Sequence, residues 1–190
     1  MSVVACDEAG LAVAATVLNS GGVAVIPTDT VYGLAAHPSF SAAVERLYSI
    51  KGREARKPIA LLAADAAAAA RFLGGSLPPS AAELAARHWP GALTLVLPYA
   101  DGATFEGLRV PDHAWTRRLL AACGGVLRVT SANLSGQRPA TDAEAALADV
   151  GLSADLVVDD GVSPGGAAST VVKIDASGIV TLLRPGPIAI

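Results

Sequence analysis

The sequence predicts one mixed α/β domain, and three observations carry that prediction. Short apolar runs alternate with helix-period stretches along the chain, the order that builds a sheet with helices packed on it. At 190 residues the chain fits a single domain over 1–190, long enough to bury most of its apolar surface without disulfides or metals. Residues 23–62 condense the pattern into a buried strand (23–26), a polar loop (27–33), a helix (41–50), a basic segment and a second apolar strand (59–63). In such units ligands bind beyond strand ends.

The elements follow in order. Asp7 caps a first helix with Leu11, Ala14, Ala15 and Leu18 on one face, and Gly21-Gly22 ends it. Val23–Ile26 is apolar throughout, as a strand covered on both faces must be. Phe40, Val44, Leu47 and Tyr48 stripe the next helix. After the strand at 59–63, Asp65 caps a helix to Leu73, closed by Gly74-Gly75. Pro78-Pro79-Ser80 opens a helix at 81–88, and Trp89-Pro90-Gly91 turns the chain into a strand at 92–97. Residues 107–110 form a short strand stopped by Pro111, followed by a helix at 115–122 and a strand at 126–130. A polar loop (131–138), a helix (142–150) and strands at 156–158, 170–174 and 179–183 complete the pattern.

Composition removes several classes. A net charge of −3 and 4% aromatics argue against a general nucleic-acid coat, though a local basic groove is compatible with both. Cys6 and Cys123 have no CxxC spacing and no metal-ligand company, so a reducing compartment is expected. The first ten residues carry Asp7 and Glu8 and no basic region, unlike a signal peptide. The alanine-rich stretch 61–70 contains Asp65 and is too short to span a bilayer. The expectation is a cytoplasmic protein with no membrane partner. Walker A, GxGxxG, HExxH and GxSxG patterns are all missing, and His37, His88 and His113 read as surface or structural residues.

Two polar centres remain. Thr28-Asp29-Thr30 follows directly on a strand and offers hydroxyls and backbone N–H groups. Beyond the next helix, Lys51, Arg53, Arg56 and Lys57 hold four of the 14 Lys and Arg residues. That concentration calls for an anion such as phosphate, unless it is only a solvated helix end complementing the C-terminal dipole. The second centre is Ser131-Ala132-Asn133-Leu134-Ser135-Gly136, which can curl N–H groups into an anion-binding nest or form an ordinary Asx or Ser turn. Arg109 in LRVP, Arg184 in LLRPG and Ser169-Thr170 sit at strand edges, and the Gly-rich loop 161–166 is placed to act as a lid.

In combination these segments resemble the YrdC-like threonylcarbamoyl-adenylate (threonylcarbamoyl-AMP) synthases. The match runs through PTDTVYGLA (27–35), KGR…KP (51–58), WPGALT (89–94), RVP (109–111), SANLSG (131–136), STVV (169–172) and LRPG (183–186). The resemblance implies a twisted mixed sheet with a positively charged concave groove. It implies a nucleotidyltransferase that condenses L-threonine, bicarbonate and ATP to threonylcarbamoyl-AMP and pyrophosphate. The product would serve a separate tRNA threonylcarbamoyl transferase complex that modifies adenosine in tRNA.

Carried over by position, Thr30, Arg109, Ser131 and Ser169 would hold L-threonine. Lys51, Arg53, Lys57, Asn133, Thr141 and Arg184 would surround ATP. Lys51 and Arg53 would lie nearest the phosphates, in a solvent-facing anion site, as the catalytic cations. Mg2+ would arrive with ATP; no organic cofactor and no metal of the protein's own is implied. The chemistry needs no protein nucleophile, only two anions held in line and cations to take up charge.

The chain departs from the family at Leu62, where many relatives carry His. It is also expected to lack the extra C-terminal domain of longer members. The alternatives are a non-catalytic module binding tRNA or double-stranded RNA in the same groove, with weak direct RNA contact, and a paralogue that has lost threonine chemistry. The low charge and few aromatics weigh against the first, and intact Lys51, Arg53, Ser131 and Asn133 against the second.

Overall fold

The computed structural model describes residues 1–52, 58–99 and 101–190. Among these, the strands are β1 (Ser2–Ala5), β2 (Val23–Ile26), β3 (Gly33–Ala36), β4 (Leu61–Ala63), β5 (Leu93–Pro98), β6 (Phe105–Arg109), β7 (Val126–Ser131), β8 (Leu156–Asp159), β9 (Thr170–Ile174) and β10 (Val180–Arg184). The helices are α1 (Glu8–Asn19), α2 (Ser41–Lys51), α3 (Ala66–Phe72), α4 (Pro79–His88), α5 (Ala114–Ala122) and α6 (Ala143–Asp149).

The described strands form one mixed sheet in the order β1-β8-β2-β3-β7-β4-β6-β5-β9-β10. The β1–β8, β8–β2, β4–β6 and β5–β9 pairs are parallel and the other five antiparallel. The α/β expectation therefore holds. Sequence reasoning found the helix starts because their chemistry is local: Asp7, Asp65 and Asp142 each accept a backbone N–H three residues on.

Two strands were not foreseen. β1 is largely exposed and has no alternating pattern to announce it. β3 reads GLAA, and glycine and alanine are poor strand formers. Its place is set by tertiary contact, since the missing side chain of Gly33 lets Val129 close over it. The expected polar loop therefore ends at Tyr32.

The sheet is covered differently along its width. Around β2 and β8 both faces are packed. Val23, Val25 and Val157 meet Ala43 and Leu47 of α2 and Ala146 of α6, while Ala24, Ile26, Leu156 and Val158 meet Leu18 of α1 and Leu119 and Leu120 of α5. Around β5, β6 and β9 the alternation splits. Leu93, Leu95, Leu97, Leu108, Val172 and Ile174 pack with the Ala81, Leu84 and Ala85 face of α4. The intervening Thr94, Val96, Gly107, Arg109 and Val171 line a cavity instead. The period of two thus builds a floor for a site.

Both thiols are free, and no described helix is long and apolar enough to cross a membrane. Cys123 is buried in the α1–α5 core, as expected of a small apolar side chain. Cys6 is not without polar company: it sits beside His113 and Asp160. Those positions are far apart in sequence and meet because β1 and β8 run side by side and α5 begins next to them.

Candidate active site

The cavity holds about 480 Å³ and gathers residues from the 28–33 turn, β4, β5, β6, β7, β9 and β10. Its buried guanidinium is that of Arg109, at the end of β6 and 6% exposed. Nε donates to Gly91 O at 2.9 Å, Nη1 to Thr30 Oγ1 at 2.8 Å and Nη2 to Asp29 Oδ1 at 2.5 Å. Burial pulls the Arg109 pKa down while the Asp29 carboxylate pushes it back up, so the guanidinium stays charged. Three of its five N–H donors are taken by these partners, leaving one on each terminal nitrogen for a ligand.

The turn supplies a directed relay. Thr28 Oγ1 donates to Val31 O at 2.6 Å, so the 3.1 Å contact with Thr30 Oγ1 requires Thr30 to donate. Thr30 also accepts from Arg109, which leaves it only lone-pair capacity toward the cavity. On the opposite wall Ser169 Oγ lies 2.8 Å from Thr94 Oγ1 and accepts from Arg184 Nη2 at 3.2 Å. Arg184 also donates twice to Ser169 O, tying β10 to the start of β9 beside a bulge at 182–184. Gly186 has no room for a side chain, because a Cβ would run into the Ser169–Thr170 backbone.

The threonine-site expectations converge: Thr30, Arg109, Ser131 and Ser169 all line this cavity, and so does Arg184. Leu62, where the family pattern has His, puts an apolar side chain there. Asn133 and Thr141 are not among the lining residues. Arg53 and Lys57, with the rest of 53–57, lie outside the described residues.

Lys51 requires a correction. It was expected to face solvent near phosphates, yet it is 4% exposed. Its ammonium donates to Ser131 O, to Asn133 O at 2.7 Å, and at 3.4 Å to Ser131 Oγ and Asn133 Oδ1. Its own carbonyl accepts from Ser135 N. The Asn133 amide in turn donates to Leu134 O and Gln137 O. The SANLSG loop is therefore an inward-bonded turn clamped to the end of α2, with Ser131 presented at the cavity. A sequence shows that a lysine follows a helix but not which way its chain turns.

Asp29, Thr94 and Tyr32 were missed as individual residues, although all lie inside quoted motifs. Tyr32 is fully buried, and its hydroxyl donates to Gly161 O and accepts from Asp160 N. Gly166 N donates to Thr30 O and Ser163 N to Thr141 O, so the 161–166 loop lies fastened over the turn.

A family model, Sua5_yciO_yrdC, described as "Telomere recombination", matches residues 16–186. The chain is 36% identical over 191 residues to a threonylcarbamoyl-AMP synthase of Bacillus subtilis (strain 168), covering 96% of this chain and 55% of that protein. It is 35% identical to a putative threonylcarbamoyl-AMP synthase of Mycobacterium leprae (strain TN), covering 95% of this chain and 84% of the other. Among solved structures it matches P. abyssi Sua5 complexed with L-threonine, with a TM-score of 0.88, 30% identity, and 97% and 57% of the two chains covered. The chain thus spans little more than half the length of the first and third of these relatives.

Proposed function

This chain belongs to the Sua5/YciO/YrdC family, and from that premise we propose that it is a threonylcarbamoyl-AMP synthase. It joins L-threonine, bicarbonate and ATP into threonylcarbamoyl-AMP, releasing pyrophosphate and water. The observation that carries the reading is Arg109, fixed by Asp29 and Thr30 with two N–H donors that meet no partner among the described residues, in a cavity of amino-acid size. An amino-acid carboxylate fits those donors as a bidentate ligand. Acceptor-only Thr30 and the Ser169–Thr94 hydroxyl pair fit its ammonium and hydroxyl groups. The complex of P. abyssi Sua5 with L-threonine supports the same assignment.

The threonine amine adds to bicarbonate with loss of water to give a carbamate. A carbamate oxygen then forms a bond to the α-phosphorus of ATP as the bond to pyrophosphate breaks. The protein's contribution is to hold two anions in line. In this reading Ser131 joins Thr30, Arg109 and Ser169 around L-threonine, Arg184 serves the nucleotide, and Lys51 and Asn133 act through the loop they brace. Arg53 is assigned to the phosphates and Lys57 to ATP from the sequence motif alone.

Mg2+ accompanies the nucleotide in this reading. The described lining residues include no carboxylate, a donor set suited to an ion held by phosphates rather than by a protein cage. When bound, the ion neutralises charge developing on the phosphates. The product passes to a tRNA threonylcarbamoyl transferase in the cytoplasm.

Pyrophosphate release from ATP and Mg2+, with threonine or bicarbonate omitted in turn, tests the reading. Release that needs both supports it. Release that needs neither makes the protein a simple ATP hydrolase, and no release alongside tight tRNA binding makes it an RNA-binding module.

A further inference from the structure

Away from the cavity, three side chains with metal-ligand chemistry converge where β1, β8 and α5 meet. Cys6 Sγ, a ring nitrogen of His113 and a carboxylate oxygen of Asp160 all lie within 4.8 Å of one another. Each is set by its own element. Cys6 and Asp160 follow the paired ends of two parallel strands, Ala5 opposite Asp159, and Cys6 N donates to Asp159 O at 2.9 Å. His113 is the N-cap residue of α5. That helix is pinned to the β1–α1 turn by Trp115 Nε1 donating to Asp7 O at 2.8 Å. Asp160 is fixed through its own N–H, which donates to the Tyr32 hydroxyl at 2.9 Å.

Hydrogen bonds engage both ring nitrogens of His113. Thr116 Oγ1 lies 2.7 Å from Pro27 O, a carbonyl that can only accept, so the threonine proton points there. Thr116 Oγ1 is also 2.9 Å from His113 Nδ1 and can accept there when that nitrogen carries the ring hydrogen. The Thr116 backbone N–H donates to the same nitrogen at 3.3 Å in the other tautomer, capping α5. Nε2 faces Asp160 Oδ2 at 2.8 Å, and one cation is shared between the two atoms. A proton can fill that role; so can a metal ion. A histidine whose second nitrogen is bonded to an outer partner is the arrangement found behind metal-bound imidazoles.

We propose that Cys6, His113 and Asp160 form a binding site for a thiophilic divalent cation of the zinc type. One thiolate, one imidazole and one carboxylate match a tetrahedral ion with its fourth position open to solvent. Asp7 and Asp159 stand nearby and add negative charge to the surroundings. Burial, with Asp160 as hydrogen-bond partner and neighbouring charge, pushes the Cys6 thiol up to about 12, so without an ion it remains a thiol. The ion takes the place of two protons, one from Sγ and one from the His113–Asp160 pair, and a zinc-type cation deprotonates a coordinating thiol outright. Its structural effect follows from Tyr32, which lines the cavity and holds Asp160 and Gly161. A metal on Asp160 braces the 159–166 segment that rests on the Thr30 turn. The assignment does not depend on the synthase reading.

Cobalt(II) tests it on the full-length chain after chelator treatment. With two cysteines in the sequence, a thiolate-to-cobalt charge-transfer band in the near ultraviolet reports directly on one of them. The expected result is a band saturating at one equivalent, displaced by zinc(II). It should be absent in Cys6→Ser and unchanged in Cys123→Ser. Asp160→Asn alters an exposed side chain and should weaken cobalt binding by about 10-fold or more, while far-ultraviolet circular dichroism stays native. Thr116→Val should also weaken binding, because the Nδ1 partner is lost. No thiolate band up to millimolar cobalt, or a band that survives Cys6→Ser, would overturn the site.

Discussion

Arg109 is already bound on one side by Asp29: Nη2 and Oδ1 lie 2.5 Å apart, with side-chain exposures of only 7% and 12%. A guanidinium held this way presents its remaining donors at a fixed angle, so Asp29 orients a ligand it need not touch. Asp29→Asn keeps an acceptor oxygen but loses the charge. It is expected to raise the KM for threonine about 10-fold, the cost of weakening one charged hydrogen bond, with the KM for ATP nearly unchanged. Steady-state pyrophosphate release with each substrate varied in turn checks this, and equal effects on both would place the pair elsewhere.

Arg109→Ala should be worse in two ways. The threonine KM rises by about 100-fold or more, and Asp29 becomes a nearly buried charge without a partner, at about 3–5 kcal/mol of stability. The double variant Asp29→Asn with Arg109→Ala should recover much of that stability in urea titrations while recovering no activity.

Lys51→Ala is expected to destabilise the fold as well as impair turnover. Removing the ammonium leaves the Ser131 and Asn133 carbonyls short of a donor, a loss of about 1–3 kcal/mol. Loosening of the 131–136 loop should appear in hydrogen exchange as lost protection at Ser135 N, whose acceptor is Lys51 O. Unchanged stability with abolished ATP binding would instead return Lys51 to the phosphates.

Beneath the cavity floor, Arg128 and Glu106 form a two-pronged pair at 2.6 and 2.7 Å that also holds Ile59 O. Glu106 is 5% exposed. Glu106→Ala should therefore cost about 3–5 kcal/mol, read as a lower urea midpoint at constant slope.

Acid should loosen the β2–β8 junction. Asp155 accepts from Arg46 and from Val23 N, and the Arg46 bond leads in holding its carboxyl below the ordinary 3.8. A depressed folded value means the stability is present above the unfolded pKa and is lost as pH falls through the folded one. Because the side chain is 43% exposed, the contribution is about 1 kcal/mol or less. Asp155→Asn should lower stability at neutral pH and flatten its fall below pH of about 4.

What the sequence made legible was what neighbouring residues decide. Capped helices and apolar strands fall in that class, and so do the motif positions of Thr30, Ser131 and Ser169. Strand β3 was hidden because its alanines and glycine gain their place only from Val129 and the flanking strands. The direction of Lys51 was hidden for a related reason: charge can be read from a letter, and burial cannot. Cys6, His113 and Asp160 carried no spacing signal, since strand pairing and a helix start brought them together.

The pairing of Ser2 with Leu156 has a consequence for biosynthesis. Strand β1 leaves the ribosome before β8, which is made about 150 residues later, a wait on the order of 10 s at ordinary translation speeds. The cavity faces a similar delay, because its walls run from Thr28 to Arg184. Ala168, Ser169, Val171, Leu183 and Arg184 are made late, so the wall they form closes the cavity only after β9 and β10 have joined the sheet.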